Sequence, residues 1–231
     1  MEIYATRLLQ NIDFTSFELL AEKIDRERRE AVYAIRDPYT AMTSLFSRLL
    51  TRRVLTKRLN RDFPDIQISY TQYGKPYLPD VPSFHFNSAH SGDWVVCVTD
   101  TTPAGIDIEK IDARSVFNGT DIFSCEEKKI YDSLENSEKL FFFFDIWTRK
   151  ESYLKALGTG LNIPLAGVTT LPDGKAAYFP VIDTTPRGSF TIKHYTIDPS
   201  HRMAVCASHT NYPESVAMVN GEDFFHLKSL I

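Results

Sequence analysis

The sequence predicts an α+β protein built as a pseudo-twofold arrangement of two similar halves. Each half carries one long helical pattern followed by strands, and the two closing strands, DWVVCVTD at 93–100 and HRMAVCASH at 201–209, resemble each other. Helices and strands that come in separate runs are typical of this fold class. We therefore expect one half over residues 1–104 and a second over 105–231, with a ligand site at the interface between them.

The first half begins with a strand over about residues 2–8, followed by two helices. Asp13 predicts the N-cap of the first helix, because apolar residues follow it at helical spacing. The pair Asp37-Pro38 predicts the start of a longer helix, since a capping carboxylate followed by proline is a typical helix start. Its apolar positions continue to about Leu59.

Beyond this helix, the helical spacing gives way to alternation. Ile66, Ile68 and Tyr70 alternate with polar residues, which predicts a half-buried strand. The run Tyr-Gly-Lys-Pro at 73–76 then predicts a turn. Three more strands are expected at 84–86, 94–98 and 106–108.

The second half starts with irregular polar sequence over 112–120. A long helical pattern follows over about 137–157, and Gly158 closes it because glycine can adopt the left-handed conformation that ends many helices. The remaining strands are expected at about 175–182, 189–197 and 202–208.

Composition and charge are those of an ordinary globular protein. The 231 residues include 26 Lys and Arg against 30 Asp and Glu, a formal net charge of −4. The apolar run Leu140–Phe144 is far shorter than the ~18 residues of a membrane span, and the first residues lack the pattern of a secretory signal. The three cysteines are widely spaced and two lie in apolar strands, so we expect neither a disulfide nor a zinc site. These observations predict a cytoplasmic protein without a membrane contact.

Two carboxylates mark the strand predicted at 106–108. Because the side chains of a strand alternate between faces, Ile106 and Ile108 point into the core while Asp107 and Glu109 project from the other face, about 7 Å apart. Carboxylates this close repel each other unless a cation lies between them, and hard oxygen ligands suit Mg²⁺. An exposed, acid-rich strand face is the alternative interpretation.

The long helix of the second half supplies a third carboxylate. Trp147, Glu151 and Lys155 follow one another at four-residue spacing and so share one stripe of the helix, with Lys150 alongside. A metal held by three carboxylates and flanked by lysines is suited to handling phosphate. The alternative is a Glu151–Lys155 pair on the helix surface, which contributes only ~0.3–0.5 kcal/mol.

Two turns add groups that suit an anion. His90 follows an apolar strand in a turn of small residues, whose backbone amides can approach an anion closely. The Gly74-Lys75-Pro76 turn adds one cation on a rigid loop. Taken alone, a single histidine in a turn is more often structural, and a turn with one cation means little by itself.

Four segments in this order resemble the signature of the 4′-phosphopantetheinyl transferases: GKPYLP (74–79), FHFNSAHSGDW (84–94), GIDIEK (105–110) and WTRKESYLKALGTGL (147–161). The length and the duplicated layout are similar to those of the surfactin-type branch, whose members are monomers that act on peptide synthetase and polyketide carrier proteins. The resemblance covers about residues 2–218. It implies a first half that holds the nucleotide of coenzyme A (CoA) and a second half that holds the metal and docks the carrier.

The implied activity is of the holo-[acyl-carrier-protein] synthase type. Such an enzyme transfers 4′-phosphopantetheine from CoA to a serine of an apo acyl or peptidyl carrier protein and releases adenosine 3′,5′-bisphosphate, with Mg²⁺ required. The resemblance thus implies carrier proteins and CoA as the partners, and a role in nonribosomal peptide or polyketide biosynthesis.

The resemblance also implies roles for the residues that match the family motifs around the metal. Asp107, Glu109 and Glu151 would be the metal ligands. Lys150 and Lys155 would neutralise the pyrophosphate, and Lys155 would protonate the leaving phosphate.

Other matching residues would hold the rest of CoA or take the serine proton. His90 would contact the CoA phosphates, and Arg28 and Ser44 match positions that grip the 3′-phosphate in similar enzymes. Glu127 matches a position proposed as the base, with Glu151 as the rival candidate. The adenine and ribose end would be held by the turn of Tyr73, Gly74, Lys75 and Pro76.

The chain departs from the family pattern at two positions. The serine that usually precedes the histidine is Ala89 here, with Ser88 one position earlier, so a hydroxyl contact to a CoA phosphate is lost or replaced by a backbone N–H. Because neighbouring strand residues point to opposite sides, we expect Ala89→Ser to restore that contact and tighten CoA binding. A second cation expected just after Arg28 falls at Ala31, and Arg29 is the nearest substitute.

Two other functions fit parts of the sequence. The run Asp107-Ile108-Glu109-Lys110 also fits the acid-x-acid-Lys core of some metal-dependent nucleases, so a phosphodiesterase is the second hypothesis. The net charge of −4 argues against a nucleic-acid partner, because nucleic-acid enzymes usually present a basic surface. The third hypothesis is a non-catalytic CoA-binding module, which the intact set of carboxylates and lysines disfavours.

Overall fold

The computed structural model describes residues 1–116, 119–172 and 178–229. Its α-helices are α1 (Phe14–Ala21), α2 (Arg26–Tyr33), α3 (Pro38–Leu59), α4 (Cys125–Ser133) and α5 (Asn136–Leu157). The strands of the first half are β1 (Glu2–Arg7), β2 (Ser69–Tyr70), β3 (Pro76–Tyr77), β4 (His85–Ser91) and β5 (Trp94–Asp100). The later strands are β6 (Ala104–Lys110), β7 (Val168–Thr169), β8 (Phe179–Pro180), β9 (Ile182–Asp183), β10 (Thr191–Tyr195), β11 (His201–Ala207) and β12 (Ala217–Met218).

Two four-stranded sheets repeat the same plan. In the first sheet β5 lies between β1 and β4, and in the second β11 lies between β6 and β10. Each plan begins with a strand, continues through a helix of 22 residues, α3 or α5, and ends in an antiparallel hairpin whose second strand pairs with the first strand of the plan. The prediction of an α+β fold with two similar halves is confirmed.

Local signals explain why the two long helices begin and end where they do. The Asp37 carboxylate accepts a hydrogen bond from the backbone N–H of Thr40 at 2.7 Å and Pro38 opens the first turn, so α3 begins where the sequence predicts. Gly158 has a φ of 73°, the left-handed conformation, and closes α5. Helix α3 packs on the first sheet, and α5 packs on the second.

The C-terminal segment returns to the first half. Strand β12 pairs in parallel with β1, and Phe224 packs against Phe46 of α3 with ring centroids 5.5 Å apart. The edge of the first sheet and the apolar face of α3 are therefore both covered by residues from Ala217 onwards, which the predicted division into 1–104 and 105–231 assigns to the second half.

Three elements differ from the sequence predictions. Helix α2 was not predicted because most of its residues are charged and only Val32 is buried. Helix α4 was not predicted, although Ser124 and Glu127 form a reciprocal capping box at its start. The strand expected at 66–70 shrinks to β2, since Ile66 follows a short 3₁₀ turn.

The strand expected at 175–182 lies partly outside the described residues. Within the described ranges, no helix combines the length and apolar character that crossing a bilayer requires.

Candidate active site

The two halves meet where β4 runs beside β6. The Asn87 side-chain oxygen accepts a hydrogen bond from the backbone N–H of Ile106 at 3.2 Å. The Ser91 hydroxyl accepts one from the Lys110 N–H at 3.0 Å and donates one to Glu109 at 2.9 Å. These bonds fix the first half against the strand that carries the predicted metal ligands.

The predicted alternation along β6 is confirmed. Ile106 and Ile108 are buried in the core between the sheets, and Asp107 points the other way, towards α5. Asp107 is nevertheless only 3% exposed, because α5 covers this face of the strand. The alternative of an exposed acidic strand face is therefore wrong. One oxygen of Asp107 accepts a hydrogen bond from the Lys155 ammonium, and the other is buried without a hydrogen-bond partner in the described chain.

The seam cluster consists of Asp107, Glu109, Glu151 and Lys155. Burial raises the pKa of Asp107 above its usual value, Lys155 opposes this rise, and Glu109 adds to it. Burial also raises the pKa of the half-buried Glu151, with Lys155 opposing and Glu109 again adding. Although burial alone would lower the pKa of Lys155, Asp107 and the two glutamates raise it. The four groups thus act on one another, and Lys155 pairs with Asp107 rather than forming a surface pair with Glu151.

The ends of the cluster are held by neighbouring side chains. The Trp147 indole N–H donates a hydrogen bond to Glu109 at 3.2 Å, and Ser91 holds the other oxygen of that carboxylate. His90 lies close enough for the charges of Lys155 and Glu109 to act on its ring, and partial burial followed by Lys155 lowers its pKa. His90 therefore adjoins the seam cluster from the first half.

The donor set of the seam cluster fits Mg²⁺. Within residues 1–116, 119–172 and 178–229, no three His, Cys, Asp or Glu side chains are already arranged to hold a metal ion. The Lys155 ammonium instead supplies the positive charge between the carboxylates. Three carboxylates offer hard oxygen ligands, and the unpartnered Asp107 oxygen is a buried acceptor that a cation would satisfy.

A cleft of about 950 Å³ adjoins the cluster in the first half. Its wall is formed by residues of α2, of α3, of the 74–76 turn and of β4. The residues that α3 contributes are Ser44, Ser47, Arg48 and Thr51. The predicted residues that line it are Arg28, Ser44, Gly74, Pro76 and His90. His90, which lies on β4 rather than in the predicted turn, belongs to this wall and is near enough for the charge of Lys155 to act on its ring, so it lies between the cleft and the seam cluster.

Two residues of the predicted nucleotide turn do not line the cleft. The Tyr73 side chain is 50% exposed. The Lys75 ammonium turns away to donate a hydrogen bond to the carbonyl of Ala156, and burial lowers the pKa of Lys75 to about 8. Lys75 thereby caps the C-terminal end of α5, where a positive charge interacts favourably with the helix dipole.

Lys150 and Glu127 lie away from the cleft. They form an ion pair with no solvent exposure of either side chain. Residues 150 and 151 point to different sides of α5, so Lys150 is not alongside Glu151 as the sequence analysis expected. The resemblance to the family implies that Lys150 neutralises the pyrophosphate and that Glu127 accepts the serine proton. In the structure these two side chains instead pair with each other.

Ala89 also differs from its predicted role. Its side chain is 6% exposed and belongs to the apolar core with Ile3 and Val96. Ser88 lines the cleft instead, with its hydroxyl 3.3 Å from that of Ser47. The hydroxyl at this part of the cleft is therefore already provided by the neighbouring position.

Sequence reasoning missed several polar residues of the cleft. Arg48 lines it one turn after Ser44, and Tyr70 lies beneath the Arg28 guanidinium at 4.5 Å. A signal was present, because Ser44, Ser47, Arg48 and Thr51 recur at three- and four-residue spacing and so form a polar stripe on one face of α3.

Comparisons with known proteins identify the family of this chain. A model described as the 4′-phosphopantetheinyl transferase superfamily matches residues 103–206, and one described as 4′-phosphopantetheinyl transferase, N-terminal, matches residues 13–102. The chain is 34% identical to 4′-phosphopantetheinyl transferase Sfp of Bacillus subtilis (strain 168), over 96% of this chain and 99% of that protein. It is 30% identical to 4′-phosphopantetheinyl transferase psf-1 of Bacillus pumilus, over 96% of this chain and 97% of that protein.

A solved structure is also similar over part of the chain. Holo-(acyl-carrier-protein) synthase from Bacillus anthracis str. Ames, in complex with CoA (3′,5′-ADP), is 20% identical over 46% of this chain and 93% of that chain, with a TM-score of 0.40. The sequence relatives, which match over nearly their whole length, decide the family. This chain belongs to the surfactin-type branch of the 4′-phosphopantetheinyl transferase superfamily.

Proposed function

We propose that this chain transfers 4′-phosphopantetheine from CoA to a serine hydroxyl of an apo carrier protein and releases adenosine 3′,5′-bisphosphate. The observation that carries the proposal is that His90 on the wall of the cation-lined cleft lies near enough to the seam cluster for the charges of Lys155 and Glu109 to act on its ring. The cleft offers Arg28 and Arg48 to an anionic nucleotide, and the seam offers three carboxylates to a divalent cation and Lys155 to the pyrophosphate.

We propose that Asp107, Glu109 and Glu151 hold Mg²⁺. When bound there, the ion would supply positive charge to the pyrophosphate. Lys155 is the cation of this chain closest to the carboxylates, so its ammonium stabilises the negative charge that develops on the leaving phosphate and donates a proton to it. Ser91 and Trp147 orient Glu109 from two sides.

Glu151 is the carboxylate that accepts the serine proton in this proposal. It is half-buried and makes no side-chain hydrogen bond within the described part of the chain, so one of its oxygens can accept this proton while the other serves the metal. Glu127 is unsuited to that role. Both of its oxygens are engaged, one by Thr170 at 2.8 Å and the other by Ser124 at 2.9 Å and by Lys150.

The acceptor in this proposal is an acyl or peptidyl carrier protein, and the activity is of the holo-[acyl-carrier-protein] synthase type. We place the reaction in the cytoplasm, in nonribosomal peptide or polyketide biosynthesis, with a monomeric enzyme. The resemblance of the chain to surfactin-type transferases supports this assignment.

Intact-mass spectrometry of an apo carrier protein tests the proposal. After incubation with the protein, CoA and Mg²⁺, the carrier is expected to gain the mass of one phosphopantetheine, and EDTA is expected to prevent the gain. Unchanged carrier together with Mg²⁺-dependent cleavage of plasmid DNA would favour the phosphodiesterase. Tight CoA binding with unchanged carriers and no cleavage would favour a non-catalytic module.

A further inference from the structure

The nucleotide cleft contains a cation that the family resemblance does not supply. Arg48 lies on the polar stripe of α3, one turn after Ser44, and lines the cleft together with Arg28 of α2. The two guanidiniums approach each other closely enough for the charge of Arg28 to act on Arg48. The following inference rests on the proposed function, because it concerns recognition of CoA.

Neither arginine is neutralised by a carboxylate. Within the described residues, no salt bridge involves Arg28 or Arg48, and the Arg48 Nε is buried without a hydrogen-bond partner. Asp25, whose charge acts on Arg48, uses one oxygen to cap the backbone N–H of Arg28 at 2.9 Å. Burial and Arg28 together lower the pKa of Arg48, with Tyr70 and Asp25 opposing. Two unpaired like charges in one cleft are unfavourable unless an anion lies between them.

The guanidinium of Arg28 is oriented for such an anion. Its central carbon lies 4.5 Å from the centroid of the Tyr70 ring, so one face of the guanidinium is stacked and its N–H edge is free to donate. Ser44 and Ser47 add hydroxyl groups to the same wall. Paired guanidiniums with nearby hydroxyls suit a phosphate monoester, which carries up to two charges and accepts several hydrogen bonds.

The position of Arg48 also bears on the cation that is missing at Ala31. Ala31 is exposed and lacks a charge, so the second cation expected after Arg28 is missing from α2. Arg29, the substitute suggested by the sequence, does not line the cleft and lies near Tyr33. We propose that Arg48 replaces the missing cation, pairs with Arg28 around the 3′-phosphate of CoA, and determines the preference of this enzyme for CoA over 3′-dephospho-CoA.

Ligands that lack both the pyrophosphate and the thiol arm isolate this contact. Isothermal titration of the full chain in EDTA, with adenosine 3′,5′-bisphosphate and with adenosine 5′-monophosphate as probes, compares a nucleotide that has the 3′-phosphate with one that lacks it. Arg48→Gln is expected to weaken adenosine 3′,5′-bisphosphate about tenfold to a hundredfold, the effect of losing a charged hydrogen bond, and to change adenosine 5′-monophosphate less than about twofold.

Arg29→Gln is the matched control. It removes one arginine from the same part of the chain and is expected to leave both affinities within about twofold. Arg48→Lys keeps the charge and is expected to lose only part of the preference, and it gives a second test if thermal unfolding shows that Arg48→Gln is not folded. Equal weakening of both nucleotides in Arg48→Gln, or a selective loss in Arg29→Gln, would overturn the inference.

The outcome is separable from the proposed function. Failure of the wild-type chain to modify a carrier protein would count against the transferase, whatever the nucleotide affinities are. Normal transfer by the wild type, with no change of nucleotide preference in Arg48→Gln, would overturn only the role of Arg48. In a transferring wild type, Arg48→Gln is expected to raise the KM for CoA by a similar factor and to leave the KM for 3′-dephospho-CoA nearly unchanged.

Discussion

Lys150 of α5 and Glu127 of α4 face each other as an ion pair at 2.5 Å, with both side chains fully buried. Lys150 also donates hydrogen bonds to the carbonyls of Ile122 at 2.6 Å and Leu165 at 2.9 Å. Glu127 accepts two from Thr170. The pair therefore connects α4, the segment before it and the segment after α5 to the helix that carries Glu151 and Lys155.

Removing one member of this pair is expected to destabilise the fold. Glu127→Gln leaves the Lys150 charge buried and uncompensated, which typically costs about 3–5 kcal/mol, whereas Glu126→Gln on the exposed side of α4 is expected to change stability by less than about 0.5 kcal/mol. Chemical denaturation measures both. Adding Lys150→Met to Glu127→Gln is expected to recover part of the loss. A Glu127→Gln variant of wild-type stability but little turnover would instead support Glu127 as the base.

The sequence was most informative where the determining signal is local. The Asp37 cap, the alternation along β6 and the closing Gly158 each act over a few residues, and each was predicted from its own segment. The Glu127–Lys150 pair and the place of Arg48 in the cleft wall depend on which segments the fold brings together, so they could not be predicted from spacing. The direction of Lys75 likewise depends on the distant end of α5.

The close approach of β6 to α5 makes Gly105 essential to the seam. A Cβ at this position would lie 2.2 Å from the Ser152 carbonyl oxygen and 2.3 Å from the Ala156 backbone nitrogen. Because both atoms belong to the helix backbone, Gly105→Ala must displace α5 and with it Lys155. We expect a loss of about 1–3 kcal/mol in the free energy of unfolding and a marked fall in kcat.

Gly167→Ala is the control for this substitution. Its added Cβ would meet only the side chain of Thr184, which can rotate, so a small effect on stability and none on kcat is expected. A Gly105→Ala variant with wild-type kcat would mean that the exact distance between α5 and β6 does not matter for transfer.

Trp147 offers a direct readout of metal binding. The chain has two tryptophans, so Trp94→Phe leaves Trp147 as the sole indole, and its N–H is bonded to Glu109. If Glu109 binds Mg²⁺, the ion redirects that carboxylate and the emission of Trp147 changes with saturation. Adding Glu109→Gln should abolish the response. Emission that is insensitive to Mg²⁺, or a response that persists without the carboxylate, would remove Glu109 from the metal site.

His194 gives the stability of the protein a defined pH dependence. Its ring accepts a hydrogen bond from Arg149 at 2.9 Å, and burial together with the charges of Arg149 and Arg202 lowers its pKa from 6.5 to about 3, although Asp145 lies nearby. A lowered pKa means that the neutral ring is favoured in the folded state. Its contribution is therefore complete above pH 6.5 and is lost as the pH falls through 6.5 towards 3.

The difference between the wild type and His194→Gln isolates this effect. From pH 6.5 towards pH 5, the wild type is expected to lose up to about 1.4 kcal/mol of stability per pH unit relative to the variant, which does not titrate. His226→Gln, an exposed substitution, serves as the control. Parallel stability curves for the wild type and His194→Gln would show that the ring is as readily protonated in the folded chain as in the unfolded one.

The strand β4 allows the roles of Ser88 and Ala89 to be separated. Ser88 faces the cleft and Ala89 lies in the apolar core, so Ala89→Ser buries a hydroxyl among apolar side chains. We expect it to reduce the free energy of unfolding by about 1–3 kcal/mol and to leave CoA affinity within about twofold, contrary to the sequence-based expectation of tighter binding.

Ser88→Ala is expected to weaken CoA binding by up to about tenfold, because it removes a hydroxyl from the cleft wall. Calorimetric titration of CoA and thermal unfolding of both variants give the comparison. Tighter CoA binding by Ala89→Ser at unchanged stability would mean that position 89 reaches the cleft after all.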